Sequence, residues 1–350
     1  MPVQLVNQSP RYGKAHLIEP APLGYLQLAA DVEAPHRPGP VLHRSRDKQQ
    51  LFGVLKWQAR KLAELEEVQT VTVYDALGFT PPGGDVKGQA ARLVPARFDV
   101  VILVETVSPD AARDVRATQA YQELAGTLTE RARRVHQIAA SNVRRVGDVD
   151  KSRPGLFVFN YLVGDDPGLA TELWEYLSGW YAAETGLDSA TLLAPLEGEQ
   201  SDYVLINHAR WDGSLPAFAA RQLPKRTFRS YLLANLKANH VAAMPVLYRL
   251  ALSEPCLAMA TTVHEAQQEE FLSTLRKGQE IALDALKTLV ETIQFVTPPV
   301  PVIHMPTAHE VVAVSNHLAE QLLANQRQFA DEVITALSPL LPGKAGKPAA

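Results

Sequence analysis

A histidine, an asparagine and a tyrosine are the groups in this chain best suited to proton chemistry. His208 lies in the apolar run Tyr203–Trp211 beside Asn207, and a neutral imidazole there can take or relay a proton near pH 7. Asn160 interrupts the apolar, aromatic-rich run Leu156–Val163 (LFVFNYLV), and Tyr203 opens the run that holds His208. His208, Asn160 and Tyr203 form the candidate catalytic set. Tyr161, Arg210, Trp211, His240 and Tyr248 are the candidate pocket residues. Side chains alternate along a strand, so His208 and Arg210 share one face and Asn207 takes the other. The competing expectation is a histidine hydrogen-bonded at a solvated strand end.

Other chemistries fail on spacing. His264-Glu265 and His309-Glu310 begin like zinc-binding helices, but Gln268 and Ala313 stand where the second histidine is needed. The chain has no glycine-rich dinucleotide fingerprint, no phosphate loop and no GxSxG elbow. Its 10 histidines are scattered, without the spacing of metal ligands. The single cysteine, Cys256, excludes a disulfide framework and a CxxC site and reads as an inter-domain residue. A net charge of -4 argues against nucleic acid as a partner. The opening MPVQLVNQSPRYGK lacks the pattern of a signal peptide, and no run is long enough for a transmembrane span. A cytoplasmic protein is expected.

Two stretches must position the candidates. After an irregular lead-in over 1–22, Leu23–Val32 reads as a strand and Asp47–Glu67 as a helix, with Leu51, Leu55, Ala59, Leu62 and Leu65 on one side. Thr70–Leu77 and Phe98–Val107 follow as strands, and Ser108-Pro109 caps the next helix. Ala117–Val146 reads as a long connector helix whose Arg131, Arg133, Arg134, Arg144 and Arg145 make either a solvated face or an anion or RNA site. The second stretch runs strand Leu156–Val163, helix Pro167–Thr185 closed by Gly186, strands Ala190–Leu196 and Tyr203–Trp211, and a helix from Ser214. Phe228–Leu250 closes it as a helix and a short strand after Pro245.

The order strand, helix, strand, strand, helix is ferredoxin-like, and FDVVILVETV aligns with SDYVLINHARW across the two stretches. The fold expected is α+β: units over 23–146 and 147–253 face each other in one intrachain barrel, followed by an all-α segment. Over roughly Leu23–Leu250 this resembles a tandem form of the dimeric α+β barrel superfamily. That superfamily includes cofactor-independent monooxygenases of antibiotic biosynthesis, haem-degrading enzymes and peroxidase relatives. The resemblance implies a cleft between sheet and helices for a small apolar ligand. The haem-degrading branch is matched only at Asn160, since Leu215–Tyr231 lacks that family's tryptophan and histidine. No cofactor is expected; haem stays open, because its ligand and degradation residues are not recognisable.

Composition changes after Ser253. Helices are expected over His264–Phe295 and Ala308–Leu337, joined by the proline-rich Thr297–Pro306. Phe271, Leu275, Leu286, Leu322 and Phe329 fall on their apolar stripes. LAEQLLANQRQFADEVI (Leu318–Ile334) resembles the phasins, which coat polyhydroxyalkanoate granules. A phasin-like module over 259–342 and a flexible tail over 343–350 are therefore expected, with the stripes as a granule, partner or homo-oligomer surface. The leading expectation is an interaction protein whose tail binds a hydrophobic inclusion and whose barrel binds a ligand. The alternative is a small-molecule oxidoreductase of the cofactor-independent monooxygenase type.

Overall fold

The computed structural model describes residues 2–36, 39–41 and 45–251. The expected module 259–342, its tail and Phe271, Leu275, Leu286, Leu322 and Phe329 lie outside the described residues.

The first half runs β1 (Gly24–Asp31), β2 (Gly39–Pro40), α1 (Arg46–Leu62), β3 (Val68–Phe79), β4 (Gly83–Gly84), β5 (Val100–Thr106), α2 (Pro109–Ala117), α3 (Gln119–Arg131) and β6 (Arg134–Arg145). The second runs β7 (Leu156–Val163), α4 (Pro167–Thr185), β8 (Ser189–Pro195), β9 (Leu205–Trp211), α5 (Leu215–Gln222), a π-helical turn (Phe228–Leu233), α6 (Ala234–Ala238) and β10 (Ala242–Leu250). Local chemistry sets the helix ends. The Ser108 hydroxyl accepts from the Ala111 N–H at the start of α2, and Asp166 accepts from Gly168 and Leu169 at the start of α4. Gly186 closes α4 at φ 70°, a left-handed conformation that glycine adopts without strain.

Eight antiparallel strands close in the order β3-β5-β1-β6-β8-β9-β7-β10, and β10 pairs back onto β3. The two-residue strands β2 and β4 extend β3 and β10. Main-chain ladders join the halves at β6–β8 and at β3–β10, so the closed ring leaves none of the eight strands as a free edge. Alternation then sorts the side chains into three layers. The interior holds Tyr74, Phe98 and Leu103 from the first half against Phe157, Phe159, Tyr161 and Tyr248 from the second. Outside, α1 and α3 cover the first half with Leu51, Phe52, Leu55, Leu124 and Leu128. Over the second half α4 contributes Leu173, Trp174, Leu177 and Trp180. The result is the α+β barrel that the resemblance implies.

The long connector helix is corrected. Helix α3 stops at Arg131, and Arg134–Arg145 is strand β6, paired to β1 on one side and β8 on the other. Val135, Ile138 and Val143 give a helix-like spacing by coincidence, but His136, Ile138 and Ala140 are buried at a period of two. The barrel needs a strand here, since without it β1 and β8 would each keep an unpaired edge. The arginines consequently scatter. Arg133 pairs with Asp31 at 2.6 Å, Arg144 with Glu175 at 2.7 Å, and Arg145 with Asp148. They form no single basic face.

Strand β10 also begins earlier than expected, at Ala242, with Pro245 inside it. The Pro245 carbonyl accepts from the Thr80 hydroxyl at 2.8 Å. Its N side therefore points beyond the β3–β10 ladder, which starts at Val246, and the missing N–H leaves no gap. The lead-in is irregular but anchored. It makes a bridge at Ile18–Arg145 and runs across α4, where the Ala15 N–H donates to the Glu175 carbonyl at 2.9 Å.

Candidate functional site

The barrel separates the candidate residues into two layers and the surface. Tyr161, Tyr203, His208, Arg210 and Tyr248 lie inside it, Asn160 and Trp211 face outward from the sheet, and His240 is exposed on a turn at φ 53° with Nδ1 3.0 Å from Asp85.

His208 does not stand at a solvated strand end. It is 2% exposed, stacked on Phe159 at 4.5 Å and 9°, with Nε2 3.0 Å from the Tyr74 hydroxyl. Burial, reinforced by the Lys151 charge, pushes its pKa well below the ordinary 6.5, while burial pushes the Tyr74 phenol well above 10. Both groups are thus held neutral. Tyr248 donates to the Phe98 carbonyl at 2.6 Å, Gln27 donates to the Tyr161 hydroxyl at 3.2 Å, and Arg134 donates to the Tyr203 hydroxyl at 2.8 Å. Arg210, fully buried, is bound by Asp188, Asp212 and the Pro154 carbonyl. These contacts build a ring-packed core in which most polar tips are bonded, while Gln27 Oε1, His136 Nδ1 and Arg210 Nε are buried without a partner.

The outer layer of the second half differs. Asn160 and Asn207 are directly paired across β7 and β9, and both lie on the outer face of the sheet. The Trp174 indole N–H donates to the Asn207 Oδ1 at 2.9 Å. The Asn160 Oδ1 is buried without a partner. An unpaired buried carboxamide oxygen costs about 1–3 kcal/mol, and its position is telling. Matching Asp99 of the first half to Asp202 of the second places Leu26 and Val104, themselves directly paired, where Asn160 and Asn207 stand. Leu26 is fully buried and Val104 nearly so. At these two strand positions the first half carries aliphatic groups and the second two amides, one of them bonded by an indole.

The cover is also looser on this side. Helix α5 has no buried residue, and Leu215 and Phe218 are only partly covered, whereas α3 buries Tyr121, Leu124, Ala125 and Leu128. Gln222 at the end of α5 also has an unpartnered amide oxygen. Trp174, Trp180 and Trp211 all belong to this layer, with the Trp211 indole donating to Thr185 at 2.9 Å. Around Asn160 the sheet presents Val158 and Leu162 along β7, Asn207 on β9 and Pro245 on β10. The surroundings are apolar, with a few convergent hydrogen-bonding atoms, the residue types that line small-molecule sites.

Trp174 and Asn207 are the two residues of this layer that the sequence does not single out as candidates. The available signal was period two, because Asn160 and Asn207 both fall where alternation calls for an apolar residue. Among the described residues no cluster of His, Cys, Asp and Glu is placed to hold a metal ion, and no helix is long and apolar enough to cross a membrane.

No protein-family model matches the chain, and no curated protein matches it in sequence. Solved structures do match. An anthrone oxidase-like protein superposes with a TM-score of 0.46 at 12% identity, covering 69% of this chain and 96% of its own. A chlorite dismutase variant from Candidatus Nitrospira defluvii gives 0.36 at 9% identity, covering 67% and 93%. A haem-binding protein from Thermus thermophilus gives 0.36 at 10% identity, also covering 67% and 93%. At these scores and identities none of them assigns an activity to this chain.

Proposed function

We propose that the second half binds a small hydroxylated aromatic molecule in the layer between its sheet and α4. The observation that carries this reading is the buried, unpartnered Asn160 Oδ1 in a layer lined mainly by apolar and tryptophan side chains. An acceptor held there without a donor is completed by a ligand that brings one, while the flat apolar body of an aromatic ring suits the tryptophan-rich surroundings. The sheet residues beside Asn160, namely Val158, Leu162, Asn207 and Pro245, carry no titratable group. They bind and orient, and a proton taken from the ligand would have to leave through another group. His208 is on the far side of the sheet from Asn160. The reading sides with a small-molecule protein of the monooxygenase type over a granule-surface protein, whose expected surface residues lie outside the described ones.

Calorimetric titration with 1-naphthol and with naphthalene tests it. The expected result is at least fivefold tighter binding of 1-naphthol, with the preference abolished in Asn160→Leu while naphthalene binding persists. Equal binding of both compounds, or a preference that survives Asn160→Leu, overturns it.

A further inference from the structure

Residues 2–17 are held against the second half by two buried asparagines as well as by the α4 contact. Asn235 and Asn239 stand one helical turn apart at α6 and its end and are both buried. The Asn235 Oδ1 accepts the Val6 N–H at 2.8 Å, and its Nδ2 donates to the Val6 carbonyl at 3.1 Å. The Asn239 Oδ1 accepts the Gln4 N–H at 2.8 Å, and its Nδ2 donates to the Gln4 carbonyl at 2.8 Å. Each carboxamide thus plays the part of a peptide group and pairs reciprocally with every second residue of an extended chain, as a neighbouring strand would.

Farther along, the same segment lies over the roof helix. The Tyr12 ring sits 5.0 Å from Tyr231, and its hydroxyl donates to Glu184 of α4 at 2.7 Å. A methyl group placed on Gly179 would fall inside the van der Waals radius of the Gly13 carbonyl oxygen. Only glycine lets the segment cross α4 this closely. Val3, Tyr12 and Leu17 pack on the cluster that contains Trp174 and Trp180. The segment is therefore a belt tied to α6 at one end and pressed onto α4 in the middle.

We infer that Asn235 and Asn239 form a recognition site for extended peptide backbone, that its ligand is this chain's own Gln4–Val6, and that its occupation controls entry to the layer beneath α4. The last clause rests on the ligand site proposed above, so the test reads the belt and the ligand separately. Two full-length variants release the belt by different routes. Asn235→Ala/Asn239→Ala removes the pairing amides. Gly179→Ala pushes the belt off α4 with a residue that itself favours helix, so retained fold is expected in at least this one. Both are made with Trp57→Phe, which leaves emission to Trp174, Trp180 and Trp211. Hydrogen exchange reports the belt, acrylamide quenching reports access to the layer, and stopped-flow binding of 1-naphthol reports ligand entry.

The expected result for the amide variant is about tenfold faster exchange at the Gln4 and Val6 amides. In both variants the quenching constant rises at least twofold, and the 1-naphthol on- and off-rates rise together. Faster exchange with unchanged quenching overturns the inference and leaves the belt a passive staple. Increased quenching in a protein that binds no 1-naphthol sustains the belt and removes the ligand reading instead.

Discussion

Asn160 and His208 stand on adjacent strands one position out of register, and for that reason on opposite sides of the sheet. His208 pairs with Phe159 and Asn207 with Asn160. The first pair packs into the barrel, the second faces α4. Two residues that invite a joint catalytic reading therefore never meet. Their separation divides the second half into a ring-packed interior and an outer layer that holds the unpartnered Asn160 oxygen.

Asn160→Leu should raise stability by about 1 kcal/mol, because it removes a buried oxygen that has no donor and fills the layer as Leu26 fills it in the first half. Urea unfolding followed by circular dichroism measures this. A loss above ~1 kcal/mol would mean that the amide is already satisfied.

Tyr74→Phe should cost about 1–3 kcal/mol by stranding the His208 Nε2 in the ring core. Combining it with His208→Leu should cost less than the two changes added separately, and a double-mutant cycle on unfolding midpoints measures that coupling.

Lys48 is buried between Asp99, at 2.6 Å, and Asp75, at 3.4 Å. Lys48→Met leaves two carboxylates buried against each other, and a loss of about 3–5 kcal/mol is expected. Adding Asp99→Asn should recover part of it, since Asp75 retains Arg249 at 3.0 Å. Chemical denaturation of the single and double variants tests the order.

Stability should fall as the pH drops from neutrality. Burial lowers the His136 pKa from 6.5 to about 4 and holds that of His208 well below its ordinary value. The unfolded chain then binds more protons than the folded one, so stability is fully present above about 6.5 and is lost as the pH falls through about 4. His136→Phe should flatten the slope between those values in unfolding midpoints taken at half-unit pH steps. Glu175 and Glu184, whose pKa values are lowered by Lys14, Arg144, Lys225 and Tyr12, add their own loss at lower pH.

The elements whose chemistry is local were legible in the sequence. Pro167 and Gly186 bracket α4, Ser108 and Pro109 start α2, and Leu156–Val163 reads as the strand it is. Strand β6 was not, because its identity is set by two strands that need a partner and only weakly by its own mixed pattern. The belt was illegible for a similar reason: Gln4 and Val6 acquire meaning from two asparagines more than 200 positions later. In the candidate site the residue types were visible, but their grouping depends on register. One position along β9 decides whether a side chain joins the core or the layer under α4.

The β3–β10 closure has a consequence for synthesis. When β6 has emerged from the ribosome, the first half is a four-stranded sheet with β3 and β6 at its edges, both waiting for partners encoded later. Strand β8, the partner of β6, follows roughly 50 residues afterwards and β10, the partner of β3, roughly 100, so at ~5–20 residues per second the β6 edge waits on the order of 2–10 s and the β3 edge on the order of 5–20 s. Until β8 arrives the nascent chain displays both strand edges unpaired. A second nascent chain on the same message displays the same pair, so cotranslational pairing between neighbours competes with closure of each ring.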